Sequence, residues 1–394
     1  MLSSVCEEVT SGGAAPQGDK YFINGKYPFV RVVDMGNLQG EKLMSQTRDL
    51  LNDNGTAKLR LFPNGTVLFT KSGASLLLNQ RAILKKPMFV VSHIGCLIPN
   101  KAVISEWLYY WMKTVDFNIY AHATTLPSLK LTTIKELMIP VPPLPEQERI
   151  VARIEELFSQ LDAGMETLKK TKAQLAVYRQ AVLKEAFDSV EICFYLPLRT
   201  VILGSPQNGL YKPKDDYNDI GTPILRIDGF YDGFILDDYH YKRVTLSADE
   251  IERYALEIGD IVINRVNSMP YLGKCALVRS LGESTVFESN MMRIRLNADK
   301  IIGDWLSYYL SSYAGNKELT KNAKHAVNQA SINQTDVGNA LVPIPSLDDQ
   351  KSLVSLIESR LSICDNIEQA VNTALKQAET MRQSILKEAF EGEL

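Results

Sequence analysis

The sequence is poor in the residues that build metal sites and disulfide frameworks. Among 394 residues there are four histidines and five cysteines, and the cysteines are scattered and never in C-x-x-C spacing. No stretch approaches the ~18 to 20 apolar residues that span a bilayer, and the N-terminus lacks the basic start and apolar core of a secretory signal. We therefore expect a cytoplasmic protein with reduced thiols, and no zinc site, disulfide framework or membrane segment.

Signatures of covalent chemistry are also missing. Gly273-Lys274 is followed by Cys275 and lacks the upstream glycine of a phosphate-binding loop, and no G-x-S-x-G, H-E-x-x-H or dinucleotide fingerprint occurs. The only Pro-Pro pair, Pro142-Pro143, is not part of the Asn/Asp-Pro-Pro-aromatic tetrapeptide of adenine methyltransferases. We expect no catalytic, cofactor-binding or metal-binding residues in this chain. A methyltransferase or nuclease with an unrecognised motif stays open, and S-adenosylmethionine binding by the chain would support it.

What the sequence does contain is an internal repeat. Residues 140–187 align without a gap with residues 343–390, 203 positions later, and 17 of the 48 aligned pairs are identical. The identities are densest at the two ends of the repeat, in the proline-rich opening and in the closing Leu-Lys-Glu-Ala-Phe. The sequence before each repeat is far more diverged. This pattern indicates a duplicated scaffold that carries two different heads.

Each repeat is typical of a strand end followed by one long helix. Prolines such as Pro140 and Pro142 remove hydrogen-bond donors and stop a strand. Pro145 suits the first helical position, and acidic residues follow it, complementing the helix dipole. About 40 residues then continue to Phe187, a rod of roughly 60 Å. The predicted segments are head 1 (1–139), a first helix (140–188), head 2 (189–342) and a second helix (343–394).

Apolar residues on both helices recur at 3-4 spacing, which favours a coiled coil. The predicted seam consists of Ile154, Leu157, Leu161, Leu168, Leu175, Tyr178 and Val182 in the first helix and Ile357, Cys364, Ile367, Val371, Ala374, Ala378, Met381 and Ile385 in the second. We expect an α+β fold in which two β-rich heads alternate with two helices. The helices would pair antiparallel about a pseudo-two-fold axis, with the heads at opposite ends. Two ordinary amphipathic helices, each buried on its own domain, are the alternative.

Charge is distributed unevenly along the chain. The net charge is −3 overall. Head 1 holds 15 Lys and Arg against 10 Asp and Glu, whereas head 2 holds 16 against 19. A basic surface favours a nucleic-acid partner, so charge supports DNA binding by head 1 and is silent for head 2.

Side chains suited to DNA occur in both heads. Arginine can bridge two acceptors of guanine, and asparagine can pair with adenine. The Asn264–Ser268 segment contains both residue types. Lys317, Lys321, Lys324 and His325 have the spacing of one helical face. The candidate DNA contacts are Lys71, Ser72, Lys85, Lys86, Thr124, Thr125, Lys212, Asn264, Arg265, Asn267, Lys324, Asn328 and Gln329.

Structural interpretations of these residues remain open. Asn, Ser and Gly also make turns, and lysine pairs on loops are often solvated. His122 and His325 lie at the same 203-residue offset. They are either a functional pair or loop-capping residues. The paired aromatic segments Glu106–Trp111 and Asp304–Tyr309 are typical of core helices.

The two repeats together resemble a known family. The opening Ile139-Pro-Val-Pro-Pro-Leu-Pro-Glu-Gln147 and the closing Leu-Lys-Glu-Ala-Phe, present twice between variable heads, resemble the specificity subunits of type I restriction–modification systems. The second copy departs from the pattern at Ser346, Asp348 and Asp349. The resemblance spans the whole chain, but its specific motifs lie in the helical repeats.

The resemblance implies a division of labour. Each head would be a target-recognition domain for one half of a bipartite, asymmetric sequence in double-stranded DNA. The coiled coil would set the spacer and bind two methylation subunits, with restriction subunits in the full complex. No cofactor is expected on this chain, because S-adenosylmethionine, Mg and ATP would bind those partners. A non-catalytic adaptor with two protein-binding heads is the alternative, and it predicts no salt-dependent DNA affinity.

Overall fold

The computed structural model describes residues 1–38, 41–120, 128–189, 194–231, 233–236 and 239–394. The chain packs as two compact units. Unit 1 comprises Met1–Leu168 and Thr373–Leu394, and unit 2 comprises Lys169–Asn372. Each unit therefore contains one head and a part of each long helix. Within the described residues, no helix is both long enough and apolar enough to cross a membrane.

Head 1 is built mainly from two sheets. Its strands are β1 (Cys6–Ser11), β2 (Tyr27–Val30), β3 (Leu43–Met44), β4 (Asp49–Leu51), β5 (Leu61–Phe62), β6 (Val67–Thr70), β7 (Arg81–Leu84), β8 (Met88–Val90) and β9 (Ile94–Pro99). Its helices are α1 (Val32–Gly36), α2 (Asp53–Thr56), α3 (Ser105–Thr114) and α4 (Leu131–Glu136). The sheets have the strand orders β1-β9-β6-β7-β3 and β4-β2-β8-β5.

Strand β6 shows how this head is layered. All four of its residues are buried. Because side chains alternate between the faces of a strand, Val67 and Phe69 pack with α3 while Leu68 packs with the second sheet. A strand covered on both faces needs a continuous apolar run rather than an alternating one, which the Val-Leu-Phe sequence provides.

Head 2 follows α5 (Leu144–Asp188) and has smaller sheets. Its strands are β10 (Tyr195–Pro197), β11 (Gln207–Asn208), β12 (Tyr217–Asn218), β13 (Thr222–Leu225), β14 (Phe230–Tyr231), β15 (Phe234–Ile235), β16 (Lys242–Val244), β17 (Ile261–Asn264), β18 (Val266–Asn267), β19 (Cys275–Leu277), β20 (Val286–Phe287), β21 (Met291–Ile294), β22 (Lys324–Ala326), β23 (Gln329–Ser331) and β24 (Leu341–Pro343). Its helices are α6 (Ala248–Tyr254), α7 (Gly303–Ser311), α8 (Tyr313–Thr320) and α9 (Gln334–Asn339), and α10 (Leu347–Glu391) follows.

Strand β17 is an inner strand of its sheet in head 2, as β6 is in head 1. The strand orders are β11-β21-β17-β19, β12-β16-β13-β20 and β18-β23-β22, with the pairs β14-β15 and β10-β24. Ile261 and Ile263 of β17 face the core that contains α7, and Val262 faces the other side. The predicted α+β class, with two β-rich heads and two long helices, is confirmed.

The long helices pair in antiparallel sense inside each unit. In unit 1, Arg149 donates to the Leu394 carbonyl oxygen at 2.8 Å, and Asp162 pairs with Arg382. In unit 2, Arg179 lies 2.6 Å from Asp365, and further along the two helices Glu185 lies 2.7 Å from Arg360. Residue numbers rise on one helix as they fall on the other, which confirms the predicted antiparallel pairing. Gly392, at φ +84°, ends α10 in the left-handed conformation that glycine adopts without strain.

The predicted seam is wrong at three positions. Tyr178, Ile367 and Met381 are exposed rather than buried. Arg179, which follows Tyr178, and Arg382, which follows Met381, contact the partner helix instead. Arg179 and Arg382 each form an ion pair with an aspartate of the partner helix. Among the other predicted positions, those fully buried are Ile154, Leu175, Val182, Ile357, Cys364, Val371 and Ile385, and those partly buried are Leu157, Leu161, Leu168, Ala374 and Ala378.

A buried glutamine anchors the start of each long helix to its head. Gln147 donates from Nε2 to the carbonyl oxygens of Ala102 (2.9 Å) and Pro142 (2.8 Å). Its Oε1 accepts from the backbone N–H of Ile104 at 3.0 Å. Gln350 makes the corresponding three bonds in unit 2, with Lys300, Pro345 and Ile302. The repeated glutamine is thus explained by backbone groups that would otherwise be buried unpaired.

A repeated phenylalanine anchors the end of the other helix at the same place. The indole N–H of Trp107 donates to the Pro140 carbonyl oxygen at 2.9 Å, and its ring centroid lies 4.5 Å from that of Phe390. Trp305 and Phe187 repeat the ring contact at 4.6 Å. We call Trp107, Gln147 and Phe390 helix seat 1, and Trp305, Gln350 and Phe187 helix seat 2. The aromatic helices α3 and α7 are core elements, as predicted.

Candidate nucleic-acid interface

In head 2, the candidate segment Asn264–Ser268 contains both buried and partly exposed residues. Asn264, the last residue of β17, is fully buried, and its Nδ2 donates to the Tyr271 carbonyl oxygen at 3.4 Å. Its amide is therefore not available to a base in this structure. Arg265 is half-buried and donates to the Ser289 carbonyl oxygen at 2.8 Å. Asn267 accepts from the backbone N–H of Ser268 at 2.8 Å, so it supports the turn that follows.

Four of the candidate residues are brought together by the sheet β18-β23-β22. Asn267 lies on β18, opposite Ala330 of β23. Lys324 begins β22, Gln329 begins β23, and Asn328 lies in the two-residue turn between them. Asn328 has φ +65°, the left-handed conformation that asparagine tolerates in tight turns. These residues are distant in sequence from Asn267, so the sheet alone makes them one surface.

The predicted helical face of Lys317, Lys321, Lys324 and His325 is wrong. Helix α8 ends at Thr320, and Lys324 and His325 belong to strand β22. Lys321 pairs with Glu318 at 2.7 Å, next to the helix end. Lys324 has no carboxylate within ion-pair distance among the described residues, so its charge is open to an outside partner.

Lys212 has a different environment from the other candidates. Its Nζ lies 2.9 Å from Glu250 and 3.7 Å from Asp216. The hydrogen bond with Glu250 raises the pKa of Lys212 above its usual value, and the side chain is largely covered. These contacts hold the loop after β11 against α6. The predicted DNA contact of Lys212 stays a prediction.

Head 1 repeats part of this arrangement. Ser72 bridges to Ser128 in antiparallel register, and the Leu129 N–H donates to the Lys71 carbonyl oxygen at 2.9 Å. Ser72 Oγ also lies 2.8 Å from Nδ1 of His93. Ser128 is 203 positions before Ser331, which pairs with Val266 in head 2. His122, Thr124 and Thr125 lie outside the described residues.

Two further candidates of head 1 form a separate exposed site. Lys85 and Lys86 lie in the turn between β7 and β8, and both are exposed. Neither has a carboxylate within ion-pair distance in the part of the chain that the structure describes. They have the exposure that a phosphate contact requires, but the structure does not join them to Lys71.

Sequence reasoning missed several exposed residues beside the candidates in head 2. Val327, in the hairpin turn, is 92% exposed, and Met269 and Tyr271 are exposed in the turn after β18. Lys274 Nζ lies 3.3 Å from the ring centroid of Tyr231, a close cation–π contact. The available signal for an exposed tip is Asn328, a turn-forming residue that directly follows Val327.

Comparison with known proteins gives the same picture as the internal repeat. A family model described as the type I restriction modification DNA specificity domain matches residues 1–176 and again 203–377. The chain is 25% identical over 399 residues to the type I restriction enzyme EcoKI specificity subunit of Escherichia coli K12, covering 96% of this chain and 84% of that protein. It is also 25% identical over 397 residues to the StySPI specificity subunit of Salmonella potsdam, with the same coverage.

Solved structures share the fold along the whole chain. One, from work on complex assembly and conformational transition of the type I R-M system, has a TM-score of 0.74 at 17% identity and covers 100% of this chain and 97% of its own. The HsdS subunit from Thermoanaerobacter tengcongensis has a TM-score of 0.54 at 18% identity, with 100% and 96% covered. The two family matches, which together span most of the sequence, show that the chain belongs to the type I restriction–modification DNA specificity domain family and carries that domain twice.

Proposed function

We propose that this chain is the DNA-specificity subunit of a type I restriction–modification enzyme. Head 1 reads one half of a bipartite, asymmetric target in double-stranded DNA, and head 2 reads the other half. The observation that carries the proposal is the double match to a DNA specificity domain on a chain whose helices are repeated while its heads have diverged. The alternative of an adaptor with protein-binding heads is not favoured by these matches.

The long helices carry the second part of the proposal. They fix the separation of the two half-sites and bind two methylation subunits, and restriction subunits join the full complex. The methylation subunits supply S-adenosylmethionine and the adenine chemistry, and Mg and ATP belong to the partners. This chain recognises DNA and performs no covalent step. Two observations support this part of the proposal. The relatives are specificity subunits of type I restriction enzymes, and one similar structure comes from work on assembly of the type I R-M system.

A methylation map of the native genome tests the proposal. Single-molecule sequencing would compare the parent strain, a strain that lacks this gene and the complemented strain. We expect one bipartite N6-methyladenine motif to disappear on deletion and to return on complementation. Deletion of the methylation-subunit gene is the matched control and removes the same motif. A motif that persists without this gene, while the methylation-subunit deletion removes it, would contradict the proposal.

Binding in vitro provides a second readout. The complex with its methylation subunits should bind duplex DNA that carries the motif, and its affinity should fall steeply between 50 and 200 mM salt, because phosphate contacts release counterions. Affinity that does not change with salt would favour a protein-binding adaptor instead.

A further inference from the structure

The β22–β23 hairpin of head 2 is a two-stranded ribbon with one anchored edge and one open edge. Strand β23 pairs with β18 on one side and with β22 on the other, and β22 has no further strand partner among the described residues. The backbone N–H of Ile332, just after β23, donates to the Arg265 carbonyl oxygen at 2.9 Å. The hairpin is therefore held at its base by the central part of the head, while its tip extends into solvent.

The register of the hairpin separates its side chains into two faces. Lys324 lies opposite Ser331 and Ala326 lies opposite Gln329, and directly opposed residues of an antiparallel pair share a face. We call these four residues the reading face. The opposite face contains His325 and Ala330, and Ala330 is buried in the core of head 2. Because this second face covers the core at Ala330, the reading face points away from it.

The chemistry of the reading face fits the edges of DNA bases. Lys324 and Gln329 are exposed and are separated by the small side chains of Ala326 and Ser331, so a flat surface can approach closely. The major groove of B-DNA is wide enough for a two-stranded β-ribbon, and glutamine can pair through two hydrogen bonds with adenine. Val327 at the tip offers an apolar contact of the kind that thymine methyl groups receive.

The charge of the hairpin agrees with this partner. Residues 319–335 contain two lysines and one histidine but no aspartate or glutamate. In a head whose overall charge is negative, a segment without carboxylates is a local site where a phosphate backbone can approach. Lys324 is the lysine of this segment that has no carboxylate partner among the described residues.

We propose that the β22–β23 hairpin enters the major groove of the half-site that head 2 reads, where Gln329 pairs with a base and Lys324 binds a phosphate. The inference rests on the proposed function and adds the specificity-determining residue. It also separates the candidates, because Asn264 is buried and Asn267 supports a turn, and neither contributes to the reading face. The hairpin is then the element of head 2 that decides base identity at its position.

Variants of the hairpin test this assignment in the complete complex. Gln329→Ala and Gln329→Glu would be expressed with the native methylation subunits in the strain that lacks the wild-type gene, and the genome would be mapped. We expect one base position of one half-site to relax in Gln329→Ala, with discrimination falling about 5- to 150-fold. Gln329→Glu should change the preferred base at that same position, because a carboxylate accepts a hydrogen bond from cytosine. The other half-site and the spacer should stay unchanged in both variants.

Two further variants separate the roles of the two faces. Lys324→Ala should weaken binding to all sequences alike and reduce the salt dependence by about one phosphate contact. His325→Ala, on the same strand but the opposite face, is the matched control and should keep the wild-type motif. Thermal unfolding of each variant checks that the head remains folded.

The outcomes distinguish the inference from the proposed function. If the wild-type complex produces the bipartite motif and both Gln329 variants leave every position unchanged, the hairpin assignment is overturned and the proposed function stands. If the variants instead lose the methylation subunits on purification and keep the motif at reduced level, the hairpin is a protein-binding surface and the assignment is again overturned. If wild type produces no motif that depends on this gene, the proposed function itself fails.

Discussion

Helix seat 1 and helix seat 2 hold their helices through the same contacts, whereas the two heads present different surfaces. Gln147 and Gln350 each form three hydrogen bonds with backbone groups, and Trp107 and Trp305 lie at nearly the same distance from Phe390 and Phe187. Head 1 has a net charge of +5 and head 2 of −3. The residues that the repeat keeps include the glutamine and the phenylalanine of each seat, whereas the candidate interface lies in the heads that differ. The duplicated part therefore anchors the helices to the heads, and the candidate DNA contacts lie in the diverged part.

Removing the tryptophan of a seat should produce the largest effect. Trp107→Ala and Trp305→Ala each remove a fully buried indole, which typically costs about 3–5 kcal/mol of unfolding free energy. Because the contacts of the two seats match, the losses should match as well. Hydrogen exchange read by mass spectrometry reports the opening of each head separately.

The conservative variants Trp107→Phe and Trp305→Phe are the controls for this experiment. They keep most of the ring contact and remove the N–H donor, so their unfolding free energy should fall less than that of the alanine variants. A large loss in one head and almost none in the other would show that the seats are not equivalent.

Truncating the seat glutamines should have a smaller but still large effect. Gln147→Ala and Gln350→Ala each leave one backbone N–H and two carbonyl groups without their partner, and we expect a loss of about 2–4 kcal/mol in each unit. Urea unfolding at constant pH measures it. Replacement of the exposed glutamine Gln174, which lies on α5 like Gln147, is the control and should change the unfolding free energy little. Equal stability of Gln147→Ala and wild type would contradict the anchoring role.

The titration of Lys113 should make the free energy of unfolding of unit 1 depend on pH in a way that unit 2 does not share. Burial, with smaller contributions from Arg81 and Arg382, lowers the pKa of Lys113 to about 8, and Ser311 occupies the corresponding position in α7. Between about pH 8 and pH 10 the unfolded chain binds a proton that folded Lys113 has lost. The free energy of unfolding should therefore rise with pH across this window.

The variant Lys113→Met isolates this contribution. The difference in unfolding free energy between wild type and Lys113→Met should change in favour of wild type as the pH rises from 8 to 10. Burial also lowers the pKa of Arg81, to about 9, and this guanidinium is present in both proteins. A difference that is flat across this range would mean that Lys113 is not perturbed.

The cross-helix ion pairs should produce the smallest effect. Arg179 pairs with Asp365 in unit 2, and the equivalent Arg382 pairs with Asp162 in unit 1. Both pairs are partly exposed, so Arg179→Met and Arg382→Met should each cost less than about 1 kcal/mol, and the cost should shrink in high salt. Urea unfolding at two salt concentrations is the measurement. A loss above 3 kcal/mol in either variant would contradict the view that these pairs are solvated.

The repeat made the helices and their antiparallel pairing predictable, but not the details of the seam. An apolar pattern predicts Tyr178 and Met381 in the seam rather than Arg179 and Arg382, because it does not take account of an ion pair across the interface. Of the three wrong positions, Tyr178 and Met381 are equivalent positions of the repeat. The prediction that the aromatic helices are core elements is confirmed, because Trp107 and Trp305 each have a large apolar surface that is buried.

The candidate interface was less predictable than the scaffold. Lysines at 317, 321 and 324 have helical spacing, yet the chain leaves the helix at Thr320 and forms a hairpin. The pairing of β18 with β23 joins residues more than 60 positions apart, and local sequence carries no information about that register. The burial of Asn264 likewise depends on the sheets around β17 rather than on its neighbours in sequence.

The exchange of one head tests the central claim most directly. Residues 189–342 would be replaced by the corresponding head of a related specificity subunit, and the methylation map would be recorded with the native methylation subunits. Independent recognition on a shared scaffold predicts that one half-site takes the new sequence while the other half-site and the spacer stay as they were. A change in both half-sites, or in neither, would contradict the account.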